Sequence, residues 1–109
     1  MKLQKIIDKL ALKVLTAFED KDITGVFISD MLSDVMSNAQ SGNLWITVQS
    51  HKNIVSAANL IDISAVIVTY NKPVPEDTIE LANRYHVIIL SSPLKTFELA
   101  SKLVEAGMK

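Results

Sequence analysis

His51 and Asp30 are the side chains best suited to moving a proton in this chain. Ser29, Thr47, Gln49, Ser50, Asn53, Thr69, Ser91 and Ser92 can hold a polar ligand around them. A histidine can act near neutral pH as a base, a metal ligand or a donor to phosphate. Asp30 and Asp34 stand at i and i+4, which turns two carboxylates to one side of a helix, where different surroundings can divide acid and base roles. The rest of a catalytic constellation is missing. His51 has no acidic neighbour in sequence, and His86 belongs to a different element. A metal site needs several ligands at set spacing; none shows, so no metal is expected. Neither G-x-x-x-x-G-K-[ST] nor G-x-G-x-x-G occurs, which removes the usual phosphate cradles. No catalytic residue is assigned. Asp30 reads first as a helix cap, and His51 as a first-turn residue that bonds locally or touches a ligand or partner.

The elements that must position these residues are legible from periodicity. Segments 12–16, 26–28, 44–48, 65–69 and 87–90 are short apolar runs and read as strands. Leu3, Ile6, Ile7 and Leu10 keep helical spacing, as do Leu32, Val35, Met36 and Ala39, and again Ile54, Ala57, Ala58 and Ile61. Ile79, Ala82 and Tyr85 carry a fourth helix inward, and Leu94, Phe97, Ala100, Leu103 and Val104 give the buried face of a fifth. Ser29 or Asp30, Ser50 and Ser92 are the expected N-caps, with Pro93 as first helical residue of the last helix. Pro75-Glu76-Asp77 puts proline and two acids in a first turn, where the helix dipole favours negative charge. Gly42 suits a left-handed helix stop, Gly25 a turn or close backbone approach, and Gly107 the end of the last helix.

The order α-β-β-α-β-α-β-α-β-α predicts a single α/β domain over residues 1–109. Its expected architecture is a three-layer sandwich, with a mainly parallel sheet and helices on both faces. In such folds ligands gather beyond the carboxyl ends of the strands. Ser29 and Asp30, Thr47 to His51 with Asn53, Thr69 to Asn71, and Ser91 and Ser92 would then converge on one rim suited to a small polar or anionic ligand. The plainer reading makes the same residues caps and turns.

Composition narrows the function classes. The chain has 109 residues, 49% of them hydrophobic, with mean hydropathy +0.26, so it is apolar enough to fill a buried sheet and to hide surface in an oligomer. Its formal net charge of −1, with no basic stripe, leaves no electrostatic footprint for nucleic acid. The lack of cysteine removes disulfides and thiol chemistry and agrees with a reducing compartment. The charged N-terminus shows no signal sequence, and no stretch reaches the roughly 18 apolar residues of a membrane span. A cytoplasmic protein is expected. Trp45, Met31, Met36, Phe27 and Phe97 could line a pocket or a dimer face, and a homodimer is the working expectation.

From Asp22 onward the sequence resembles the DRTGG domain family. Asp22-Ile23-Thr24-Gly25-Val26 stands in place of the motif, keeping Asp, Thr and the first Gly, with Ile23 and Val26 at the arginine and second glycine. Ser29-Asp30-Met31-Leu32-Ser33-Asp34-Val35-Met36 is similar to the segment after the motif. Gly42-Asn43-Leu44-Trp45-Ile46-Thr47, with His51 and Asn53, is similar to the next block, and Ser91-Ser92-Pro93 before Phe97-Glu98-Leu99-Ala100 to the closing one. The resemblance implies an accessory or regulatory module, related in fold to the N-terminal domain of HPr kinase/phosphorylase and often placed at a subunit interface. The expected function is therefore a non-catalytic, dimeric regulatory or ligand-sensing module for a small polar or anionic, nucleotide-like ligand; no cofactor is named. The alternatives are a purely structural interaction module for itself or an enzyme subunit, and a small enzyme using His51 and Asp30.

Overall fold

The structure is a computed structural model describing residues 1–108; Lys109 lies outside the described residues. Strands β1 (Lys13–Val14), β2 (Gly25–Ile28), β3 (Asn43–Thr47), β4 (Ala65–Val68) and β5 (Ile89–Ser91) alternate with helices α1 (Leu3–Leu10), α2 (Leu32–Asn38), α3 (Asn53–Ile61), α4 (Glu76–Arg84) and α5 (Thr96–Glu105) in the predicted order. The sheet order is β1-β5-β4-β3-β2, parallel from β2 to β5, with β1 antiparallel on β5. The expected α/β sandwich with a mainly parallel sheet is what forms.

Each step from β2 to β3 to β4 to β5 moves one strand over in the same direction. A constant crossover hand then puts all three connecting helices on one face. The packing agrees. Val35 of α2, Ile54 and Ala58 of α3 and Ala82 of α4 share one core with Trp45, Val66, Val68 and Ile89. The opposite core joins Leu3, Ile6, Ile7 and Leu10 of α1 and Leu99 and Leu103 of α5 to Leu44, Ile46, Ile67 and Leu90. Strand side chains alternate between the cores, as pleating requires, and β3 and β4 are buried on both faces.

Three expected helix faces are rotated or thinned. On α5 the buried residues are Leu99 and Leu103, while Phe97 is 84% and Val104 68% exposed. On α2 Val35 is buried but Met36 is 48% exposed, and on α4 Ala82 is buried but Tyr85 is 49% exposed. The last helix also begins at Thr96, not Pro93. Leu94 gives its carbonyl to the Tyr70 N–H (3.0 Å) and its N–H to the Ser92 hydroxyl (3.1 Å), so residues 92–95 serve the sheet edge before the helix starts.

Candidate functional site

The parallel register brings the ends of β2, β3, β4 and β5 to one edge, and the hydrogen bonds there knit the strand ends together. Asp30 is the knot. Its Oδ1 accepts from the Thr47 hydroxyl (2.9 Å) and from the Val48 N–H (2.9 Å), and its carbonyl accepts from the Gln49 side-chain amide. Thr47 Oγ1 in turn accepts from the Gln49 N–H at 3.1 Å. Asp30 thus fixes the turn after the neighbouring strand and does not cap α2. Ser29 serves that end, its Oγ accepting from the Met31 N–H at 3.1 Å. Asp34 accepts from the Asn38 amide (2.8 Å), so the two aspartates hold different partners and form no carboxylate pair.

Ser50, the expected cap of α3, is not the cap. Its carbonyl accepts from the Thr78 hydroxyl (3.0 Å), tying this turn to α4, and the helix starts after Lys52. His51 takes over the capping: its Nδ1 accepts from the Asn53 N–H at 3.2 Å. The imidazole is exposed, and with Nδ1 taken by the Asn53 N–H its Nε2 is the nitrogen left to reach a ligand.

The remaining rim residues differ in access. Thr47, Thr69, Ser91 and Ser92 are buried, Ser29, Gln49 and Ser50 half-buried, and Asp30, His51 and Asn53 exposed. Thr69 Oγ1 donates to the Thr47 carbonyl (3.4 Å) and lies 3.5 Å from the Thr96 hydroxyl. The buried hydroxyls therefore brace the rim from below, while the exposed members lie between β2 and α3. Because the parallel strands follow one another without a reversal of order, no switch-point crevice opens between them. A ligand at this edge rests on the rim's surface.

Sequence periodicity missed the most unusual feature here. Tyr70 and Asn71, directly after the central strand β4, both have left-handed backbones, with φ of 62° and 52°. Asparagine tolerates this; for tyrosine it costs about 1–2 kcal/mol. The pair is held by the next loop, with Tyr70 N–H on the Leu94 carbonyl (3.0 Å) and Asn71 N–H on the Ser92 carbonyl (2.9 Å). The result is a tyrosine 51% exposed at the middle of the rim. Lys52, Lys72 and Lys95, all exposed, stand in the loops after β3, β4 and β5, with Glu76 and Asp77 at the start of α4. The local signal was Tyr-Asn-Lys-Pro at a strand end.

The Asp22–Val26 segment lies at the opposite end of the sheet, leading into β2. Ile23, at the arginine's place, is buried in the α1–α5 core. Thr24 Oγ1 donates to the Ser41 carbonyl (3.0 Å), the Asp22 carbonyl accepts from Ser64 (3.3 Å), and a β-carbon on Gly25 would stand 3.2 Å from the Asn43 amide. In this chain the segment closes the amino end of the sheet. Among the described residues no group of three or more His, Cys, Asp or Glu could hold a metal, and no helix is long and apolar enough to cross a membrane.

One stability test follows from the Asp30 knot. Asp30→Ala is expected to cost about 1–2 kcal/mol in urea unfolding, since two donors lose a charged acceptor. Asp30→Asn, which keeps one acceptor oxygen, should lose less than half of that. Equal losses would mean that the carboxylate's charge, not the geometry of the knot, holds the turn.

Comparison with known proteins adds the family. Curated proteins give no match. The fold is that of the crystal structure of the CBS and DRTGG domains of the regulatory region of Clostridium perfringens pyrophosphatase, complexed with the activator diadenosine tetraphosphate. The TM-score is 0.75 at 20% sequence identity, covering 95% of this chain and 46% of that one, so the chain spans about half of its structural neighbour. The DRTGG domain profile matches residues 5–106, nearly the whole chain, and the chain belongs to that family.

Proposed function

We propose that this domain is a non-catalytic, homodimeric regulatory module that binds a small anionic ligand with an aromatic group, such as a nucleotide, across the carboxyl rim of its sheet. Ser29, Asp30, Thr47, Gln49, Ser50, His51, Asn53, Thr69, Ser91 and Ser92 build the rim, the exposed ones touching ligand and the buried ones bracing it. The observation that carries the reading is Tyr70, an exposed aromatic kept in a costly backbone conformation at the centre of that rim. Strain of this kind gathers where a side chain must be presented. A tyrosine face stacks on a base, and Lys52, Lys72 and Lys95 offer cations to phosphates. The pyrophosphatase region that shares this fold is described with a dinucleotide activator, which supports the same ligand class. Regulation would follow if the ligand binds one arrangement of the rim better than another.

Thermal-shift and calorimetric titration with nucleotides, dinucleoside polyphosphates and phosphorylated metabolites test this. A ligand at 100 times its Kd should add about 2.7 kcal/mol to stability. Tyr70→Gly should raise the ligand-free stability by up to about 1 kcal/mol, as the left-handed strain is relieved. The same change should weaken binding about tenfold or more through lost stacking. Tyr70→Phe should keep both the strain and the affinity. If Tyr70→Gly binds as well as the parent, the rim is not the site.

A second reading rests on a different observation. Leu32, Met36, Leu60, Leu81 and Tyr85, interspersed with Asn53, Ser56 and Asn59, line a mostly apolar groove of about 620 Å³ across α2, α3 and α4, open to solvent. Such a groove fits an apolar segment of an enzyme subunit. A melting shift with a partner protein, and with none of the small molecules, would favour this reading.

A further inference from the structure

Two starts are written into the chain ahead of α5, and the structure uses the poorer one. Ser92-Pro93 has the residue types of a helix beginning, a hydroxyl cap followed by a proline at the first helical position. Ser92 already makes the capping contact, since its Oγ accepts from the Leu94 N–H at 3.1 Å. Yet α5 begins only at Thr96, after Lys95, whose backbone is extended at φ −74° and ψ 159°. A lysine is a weak cap: its ammonium accepts no hydrogen bond and brings positive charge to the positive end of the helix dipole. The Lys95 N–H donates to Glu98 Oε1 at 3.3 Å, but the first carbonyl the helix uses is that of Lys95, which accepts from the Leu99 N–H at 2.9 Å. The N–H groups of Thr96, Phe97 and Glu98 therefore have no helix carbonyl behind them.

We infer that residues 92–98 form a switch between this late start and an early one at Pro93, and that Tyr70 sets it. One hydrogen bond holds two unfavourable features together. The Tyr70 N–H donates to the Leu94 carbonyl at 3.0 Å, which keeps Tyr70 left-handed at φ 62° and keeps Leu94 out of the helix. The Asn71 N–H on the Ser92 carbonyl (2.9 Å) and the Thr69 hydroxyl, 3.5 Å from that of Thr96, brace the same junction. Release of the Tyr70 bond removes both costs in one step. Leu94 and Lys95 turn helical, the Leu94 carbonyl passes from Tyr70 to the Glu98 N–H, and α5 gains Pro93 to Lys95 under the Ser92 cap. Tyr70 is then free to leave the left-handed region. A helical residue advances about 1.5 Å and an extended one about 3.3 Å, so the early start also draws α5 towards the end of β5. Leu99 and Leu103, buried against the sheet, resist that shift and favour the late start. The switch joins the carboxyl rim to α5. A ligand that stacks on Tyr70 as the rim presents it would hold the late start, and that step alone rests on the reading above.

Nuclear magnetic resonance and amide exchange on the full chain read the start directly: residue 95 is extended or helical, and the Glu98 N–H is open or bonded. In the parent, residue 95 should show an extended Cα shift and Glu98 should exchange fast. Lys95→Glu puts an acid at the third helical position after the Ser92 cap and completes a capping box. It should turn residue 95 helical and slow Glu98 exchange about tenfold or more. Tyr70→Val should move both readouts the same way, because a β-branched residue is worse than tyrosine in the left-handed region. Adding Tyr70→Gly to Lys95→Glu should reverse part of the change, since glycine tolerates that region. Lys95→Pro should lock the late start, as proline fits φ of −74° and disfavours a helical Leu94. A folded Lys95→Glu variant that stays extended at residue 95 overturns the early start. A response to Lys95→Glu that neither Tyr70→Val nor Tyr70→Gly reproduces or reverses overturns the control by Tyr70. Titration of Lys95→Glu with ATP is scored separately: a start that follows Tyr70 but ignores ATP leaves the switch standing and removes only the ligand's hold on it.

Discussion

Trp45→Ala should unfold this domain about 12 °C or more below the parent, reflecting a loss of about 3–5 kcal/mol. Trp45 is fully buried in the middle of β3, between Phe27 on β2 and Val66 on β4, in the core under α2, α3 and α4. Its removal leaves a cavity that rigid neighbouring strands cannot close. The loss is a large part of the roughly 5–15 kcal/mol that hold a domain of this size. The indole has a second duty. Its Nε1 donates to the Ser29 carbonyl at 2.9 Å, so the core residue also pins the chain leaving β2, next to Asp30. Trp45→Phe separates the two roles. It keeps most of the apolar volume and should cost less, yet the Ser29 carbonyl loses its partner and the Asp30 turn loosens. Hydrogen exchange at the Val48 and Gln49 amides should speed up in Trp45→Phe by more than at Ile67, deep in the central strand. Uniform acceleration across the sheet would mean that Trp45 acts through packing alone.

The same division between core and rim explains which parts of the molecule were readable from its residues. Strands came through because β3 and β4 are buried on both faces, and such strands are unbroken apolar runs whatever their neighbours do. The order of elements then left little choice of architecture. Helix faces were harder. α5 holds Leu99 and Leu103 one residue away from Ala100 and Val104, so two stripes about 100° apart each satisfy helical spacing, and only the tertiary structure says which one meets the sheet. Phe97 drew the reading outward, to the side of α5 that faces away from the sheet. Caps failed for a related reason. Ser50 and Ser92 have the right chemistry, but Thr78 and Tyr70 claim the carbonyls of these two turns from elsewhere in the chain, at Ser50 and Leu94, and the helices start later. No local pattern contains a partner 24 or 28 residues away. Tyr70 was hidden too, because a left-handed tyrosine has no propensity signature; it exists only because the next loop holds it.

Gly42→Ala should be the next most damaging single change, at about 2–4 kcal/mol, although it adds only one methyl group. Gly42 has φ of +84°, and forcing an L-residue there costs about 1–2 kcal/mol before any contact is considered. The added carbon would then stand 2.8 Å from both Cγ2 and Oγ1 of Thr24. Thr24 has no slack to yield, since its hydroxyl donates to the Ser41 carbonyl (3.0 Å) and accepts from the Asn43 amide (3.4 Å), and its N–H donates to the Gly42 carbonyl (3.0 Å). Moving it gives up about 1 kcal/mol for each hydrogen bond lost. The double variant Gly42→Ala with Thr24→Ser tells the two costs apart. Serine removes the methyl group and keeps the hydroxyl, so it relieves part of the clash and none of the backbone strain. Chemical denaturation should therefore show the double variant recovering some of the loss and staying below the parent. Full recovery would mean that the left-handed backbone costs nothing here, and no recovery that the contact with Thr24 is relieved by other movements. The damage should also stay local in function: Gly42 and Thr24 close the amino end of the sheet, so a folded Gly42→Ala variant should respond to rim ligands as the parent does.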